Sequence, residues 1–183
     1  MIYLKFAQSE YSDSLSLHNK ARTTLFKLLY DAFGEKYSDG DIKIATGGKP
    51  YIENAAFDFS DSHTDNAVVV AAVGDGTDKD GLICIDINAR KIGVDIERAD
   101  REVKNKDLII KKLFSEKEKE YVKTNKDLRF LEIWTKKESI LKATGEGLKG
   151  ISKADTYCFK GKYINTVYVN MGDKEYIISI AAI

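Results

Sequence analysis

The chain is predicted to adopt an α+β fold, and three observations carry that reading. Apolar residues recur at helical spacing in residues 12–33 and again in residues 103–143. Short β-rich runs crowd between these stretches and fill the last thirty or so residues. No low-complexity linker interrupts the alternation, so the elements belong to one packed body.

Residues 2–7 alternate as a strand, and Leu15, Ala21, Leu25, Leu28, Leu29 and Ala32 form the stripe of a first helix. A short strand at 41–46 runs into Gly47-Gly48-Lys49-Pro50, where paired glycines and the only proline mark a loop. Further strands are predicted at 57–60, 67–73, 82–87 and 91–97. Asp75 to Gly81 is rich in turn residues and Asn88 to Lys91 can close a second reversal, so the middle reads as an antiparallel meander. After Glu97 the pattern turns helical: residues 103–113 are amphipathic, and Ser115-Glu116-Lys117-Glu118 has the form of a capping box opening another helix. A further helix, the third of this stretch, spans roughly 127–143 and stops at Gly145. Strands at 156–159, 163–169 and 174–182, parted by Lys160-Gly161-Lys162 and Gly172-Asp173, complete the order.

With 183 residues, 43% of them hydrophobic, the chain can bury one large core or two small ones that share burial. Strand, helix and several strands follow one another twice, with the changeover near residues 88–92, and the two halves are expected to pack tightly. Lys plus Arg and Asp plus Glu both number 29, so the molecule as a whole has no electrostatic reason to seek nucleic acid or an anionic membrane. Cys84 lies in the apolar run Leu82 to Ile85, far from Cys158, and reads as a small buried hydrophobe rather than a disulfide partner or metal ligand. The N-terminus is too short and too alternating for a signal peptide, and no apolar run approaches the roughly 20 residues that cross a membrane. A reducing cytoplasm is the expected setting.

Two acidic segments carry the chemistry. In Gly93-Val94-Asp95-Ile96-Glu97 an extended backbone places Asp95 and Glu97 on one face. In Trp134 to Lys142 a helix places Glu138 and Lys142 on one face. Magnesium takes oxygen ligands and commonly binds one or two carboxylates together with substrate phosphates and water, so three carboxylates and a lysine point to magnesium and phosphate. Each segment alone has a plainer reading. Asp95 and Glu97 fit the solvent face of a half-buried strand, and Glu138 with Lys142 fits an ordinary surface pair contributing a few tenths of a kcal/mol. Trp134, four residues before Glu138, draws that carboxylate toward the core.

Taken together, Gly93 to Glu97, Phe114-Ser115-Glu116-Lys117-Glu118, and Trp134 to Lys142 running on through Ala143-Thr144-Gly145-Glu146-Gly147-Leu148 resemble the motifs of 4′-phosphopantetheinyl transferases of the surfactin-synthetase-activating type. Upstream, Gly48-Lys49-Pro50-Tyr51 is similar to that family's GKP loop, and Phe59-Ser60-Asp61-Ser62-His63-Thr64 to its FNxSHS segment. The resemblance covers residues 48–148.

It implies transfer of the phosphopantetheine arm of coenzyme A to a serine of an acyl or peptidyl carrier protein, with release of adenosine 3′,5′-bisphosphate. By that match Asp95, Glu97 and Glu138 hold Mg²⁺, Lys142 steadies the phosphates, and Glu138 or a metal-bound water accepts the serine proton. Lys49, Ser62 and His63 match positions that contact the nucleotide end of coenzyme A, and Lys20 and Arg22 on the first helix are further candidates for its 3′-phosphate. The implied fold is two similar α+β halves related by a pseudo-twofold, residues 1–91 contributing nucleotide contacts and residues 92–183 the metal and catalytic motifs. A monomer suffices in that arrangement.

Three features depart from the pattern. Asp61 stands where the family usually has an apolar residue and is expected to point to water, Ser60 replaces the usual asparagine, and residues 75–91 are longer than usual and read as an added hairpin. The chain is also short for this type. Two rival classes remain: another magnesium-dependent phosphotransferase or pyrophosphate hydrolase, which would use the three carboxylates without needing Lys49 and His63, and a non-catalytic protein that binds coenzyme A or a carrier, which should show a broken metal set, whereas all three carboxylates are present.

Overall fold

The computed structural model describes residues 1–183. Its elements are β1 (Ile2–Gln8), α1 (Ser14–Phe33), β2 (Ile42–Ile44), β3 (Pro50–Ile52), β4 (Asp58–Thr64), β5 (Ala67–Val73), β6 (Ile83–Ile85), β7 (Ile92–Arg98), α2 (Lys106–Leu113), α3 (Glu116–Val122), α4 (Lys126–Thr144), β8 (Tyr163–Met171) and β9 (Lys174–Ala182). The α+β class stands. All pairings are antiparallel, in a sheet ordered β4-β5-β1-β6, a sheet ordered β7-β9-β8 and a separate β2-β3 ribbon.

Strand alternation stacks these elements in four layers. On the four-stranded sheet, Tyr3, Phe59, Val68, Val70 and Ala72 meet the α1 stripe of Leu17, Ala21, Leu25, Leu28 and Leu29. The opposite face, with Ile2, Leu4, Val69 and Val73, packs on Ile92, Val94, Ile96, Ile178 and Ile180 of the three-stranded sheet. That second sheet turns Ala181 toward α4. Strand β5 is apolar throughout because both of its faces are buried. Fully burying each Val, Leu or Ile of these layers contributes about 1.5–3 kcal/mol.

Local signals set the helix ends. Asp13 accepts the Ser16 amide at 3.0 Å to start α1. The predicted capping box opens α3. Gly34 and Gly145 end α1 and α4 in the left-handed conformation, φ 77° and 75°.

Several expectations change. Leu15 is 69% exposed and Leu17 takes its place in the stripe. The middle is no meander: β4 and β5 form a hairpin, but β6 pairs with β1, and β7 joins a different sheet. The stretch 75–91 is therefore a connection carrying one short strand against β1 rather than an added hairpin. Strand β4 runs on to Thr64, and no strand forms at 156–159. Trp134 is only half-buried and stacks on Phe130, with ring centroids 5.9 Å apart.

Lys137, beside Glu138 in sequence, points the other way. Its ammonium is buried, 2.9 Å from the equally buried Glu118, and donates to the Ala154 carbonyl at 2.6 Å. Glu118 also accepts the amides of Ser115 and Thr156 at 2.7 and 2.9 Å. This pair ties α3, α4 and the 154–156 turn together. Removing one partner strands a buried charge, so Lys137→Ala or Glu118→Ala is expected to cost about 3–5 kcal/mol. Thermal denaturation should show a Tm lower by roughly 10 °C in either variant, and the paired change Lys137→Met with Glu118→Leu should restore most of it.

Candidate functional site

Strand β7 and helix α4 meet face to face because Gly93 has no side chain. A Cβ there would overlap the Ser139 carbonyl, the Ala143 amide and the Lys142 Cβ. Val94 and Ile96 point into the core between the sheets, so alternation turns Asp95 and Glu97 to the α4 side. The edge of β7 that is not bonded to β9 lies along β4. Side chains of β4 accept its free amides: Asp58 from Ile92 at 2.8 Å, Ser60 from Val94 at 3.1 Å and Ser62 from Ile96 at 3.4 Å.

Asp95 is nearly buried, and its Oδ1 accepts from the Ser62 hydroxyl and the Lys142 ammonium, both at 2.8 Å. Lys142 also donates to the carbonyls of Val94 at 3.0 Å and Asp61 at 3.4 Å, stitching α4 to both strands. It turns to Asp95 rather than forming the surface pair with Glu138 that sequence spacing allows. Glu97 accepts from the Thr64 hydroxyl at 3.1 Å and forms an ion pair with Arg101. Glu138 is half-buried. Its carboxyl pKa is raised, chiefly by burial and then by the Asp95 charge, with Lys142 opposing.

The expected three-carboxylate set is not gathered as such, since no three His, Cys, Asp or Glu side chains stand close enough to hold a metal ion. Lys142 and Arg101 neutralise two of the three carboxylates from within the protein. The donor chemistry still fits a hard cation at the pair Asp95 and Glu138, where the Asp95 charge adds to burial in raising the Glu138 pKa.

Glu138 and Lys142 line a cleft of about 320 Å³ whose other wall carries Lys49 and Asp61. The loop before β3 closes against the end of α4 at a contact only glycine permits, because a Cβ on Gly47 would overlap the Gly145 carbonyl. Lys49 forms an ion pair with Asp58 and donates to the Ile92 carbonyl at 2.9 Å. Burial lowers its pKa and Asp58 opposes that shift. Asp61 lines the cleft, where its backbone carbonyl accepts from Lys142 at 3.4 Å.

The remaining candidates stand elsewhere. Ser62 is buried and aimed at β7, so it holds Asp95 rather than lining the cleft. His63 is half-buried on β4, and burial lowers its pKa against the raising effect of Asp61. Arg22 sits in a separate groove with Tyr37 and Ser38, its Nε 3.7 Å from Asp39. Lys20 does not line the cleft either. Sequence reading missed Asp58 and Arg101 as partners and Ser60, Ser62 and Thr64 as a polar row facing β7. Extending the period-2 pattern of β4 through Thr64 would have found that row.

The raised pKa of Glu138 has a sign. A carboxyl whose folded pKa exceeds its ordinary 4.5 contributes stability below that pH, and loses it as pH rises through the folded value. In the absence of divalent cation, Glu138→Gln is therefore expected to melt about 2–4 °C above the wild type at neutral pH, as roughly 1 kcal/mol would give. The gap should close as pH falls toward 4.5 in thermal-shift measurements. An equal or lower Tm at neutral pH would mean that Glu138 is not under electrostatic stress.

Residues 91–178, a little under half of the chain, match the model of the 4′-phosphopantetheinyl transferase superfamily. Asp95, Glu97, Glu138 and Lys142 lie inside the matched stretch, and Lys49, Ser62, His63, Lys20 and Arg22 lie outside it. No curated protein matches the chain. No helix is long and apolar enough to cross a membrane.

Proposed function

We propose that this protein is a 4′-phosphopantetheinyl transferase of the surfactin-synthetase-activating type, moving the phosphopantetheine arm of coenzyme A to a carrier-protein serine. The observation that carries the proposal is convergence: Lys49 from the GKP-like loop lines the same cleft as Glu138 and Lys142, although some 90 residues separate them in sequence. The superfamily match over residues 91–178 supports the reaction class.

In this reading Asp95 and Glu138 would hold Mg²⁺, with Glu97, paired to Arg101, the third candidate ligand. Bound there, the ion would neutralise charge developing on the phosphates. The other roles fall to side chains. Lys142, fixed by two backbone carbonyls and Asp95, and Lys49, fixed by Asp58, present ammonium groups to phosphate oxygens. Ser62 is a positioning residue that orients Asp95. Glu138 accepts the serine proton as the serine oxygen bonds to the β-phosphorus and the phosphoanhydride oxygen leaves with adenosine 3′,5′-bisphosphate.

Both walls of the cleft come from one chain, which supports a monomer. Strands from residues 2–85 and 92–182 build the two larger sheets separately, which supports the division near residue 91 into two helix-on-sheet halves.

Incubation with coenzyme A, Mg²⁺ and a panel of apo carrier proteins is expected to add one phosphopantetheine per carrier by intact mass. Glu138→Gln should slow transfer by about 10²- to 10⁴-fold, the usual contribution of a positioned base. No mass gain across several carriers would overturn the assignment, and near-normal transfer by Glu138→Gln would remove Glu138 as base and ligand.

A further inference from the structure

The two ion pairs on the β7 carboxylates are built differently. Lys142 is anchored by the carbonyls of Val94 and Asp61 as well as by Asp95, so it cannot leave Asp95 without loosening the contact between α4 and both strands. Arg101 has no such anchor. Its guanidinium bonds one side chain, Glu97, and it stands in the turn after β7, where its amide donates to the Arg98 carbonyl at 3.0 Å. The Arg101 side chain is 47% exposed while that of Glu97 is only 10% exposed. A pair with one end in water is weak enough for a divalent cation to compete with. Glu97 is meanwhile fixed from its other oxygen: Oε2 accepts from the Thr64 hydroxyl at 3.1 Å, and Oε1 is the oxygen that Arg101 takes. Arg98, the neighbour of Glu97 in sequence, is engaged with Asp100 and Asp65.

We infer that Arg101 is a displaceable counter-ion that competes with a divalent cation for Glu97 and so sets the affinity of the metal site. The inference rests on the metal set of the proposed function and on no transfer step. Asp95 and Glu97 share one strand face about 7 Å apart, well inside the range over which charges at a protein surface act on each other. With Arg101 in place, Glu97 is charge-matched and a cation meets Asp95 and Glu138 as the uncommitted part of the set. With Arg101 removed, the same face carries one more uncompensated negative charge, on a carboxylate that Thr64 still orients.

Titration of the free protein with Mn²⁺, followed by electron paramagnetic resonance, tests this with an oxygen-seeking stand-in for Mg²⁺. Arg101→Ala is expected to tighten Mn²⁺ binding by about tenfold at low salt, a size that lies between the bulk-water and near-surface limits for one unit charge at contact distance. The gain should shrink at about 0.5 M salt. Arg101→Lys, which keeps the charge, should stay near the wild type. In a Glu97→Gln background there is no carboxylate to compete for, so removing Arg101 should change binding by less than about twofold. The Tm rise brought by saturating Mg²⁺ should be larger for Arg101→Ala than for the wild type, because tighter binding to the folded state alone stabilises it more. Unchanged Mn²⁺ affinity in Arg101→Ala would overturn the inference, as would failure of every variant to bind Mn²⁺. A full gain in the Glu97→Gln background would overturn it too, since Arg101 would then act through space and not through Glu97. Absence of transfer to carrier proteins would count against the transferase reading alone, because these measurements contain neither coenzyme A nor a carrier.

Discussion

The open edge of β7 is the constraint on which the rest of this structure depends. Amides at Ile92, Val94 and Ile96 lie where the sheet ends and water is excluded, and each needs an acceptor. A further strand could supply backbone carbonyls, but here the side chains of Asp58, Ser60 and Ser62 on β4 do so. The two sheets are thus joined through side chains along a seam, while their apolar faces close over each other.

That seam also builds the site. Asp58 accepts the Ile92 amide and pairs with Lys49, so the loop lysine is fixed by the contact that seals the strand edge. Ser62 accepts the Ile96 amide and donates to Asp95 Oδ1, the same oxygen that accepts from Lys142. Gly93 then lets α4 approach closely enough for Lys142 to reach carbonyls on both strands. Structural satisfaction and ligand-facing geometry share the same atoms. The charges follow one logic: Lys142 and Arg101 offset Asp95 and Glu97, and the stress falls on Glu138, which has burial and a neighbouring carboxylate against it.

Much of the fold was legible in the sequence because periodicity and caps are local. The α1 stripe, the Ser115 capping box, the Gly145 stop and the all-apolar β5 were each readable from residues a few positions apart. Errors arose where pairing is non-local. Nothing near residues 83–85 says that they lie against β1, so β6 was placed in a meander. Leu15 and Leu17 offer equal hydrophobicity, and only the position of the sheet below α1 selects Leu17.

For the site, the sequence by itself determined the donors: two carboxylates alternating on a strand, a third with a lysine on a helix, and a lysine after paired glycines. Only the tertiary structure decided their partners. Lys142 chose Asp95 over Glu138, Lys137 turned inward to Glu118, and Ser62 turned to β7. The reason is physical. A side chain's type and its face on an element follow from local backbone geometry, whereas which opposite charge or open amide it meets depends on elements brought together from distant parts of the chain.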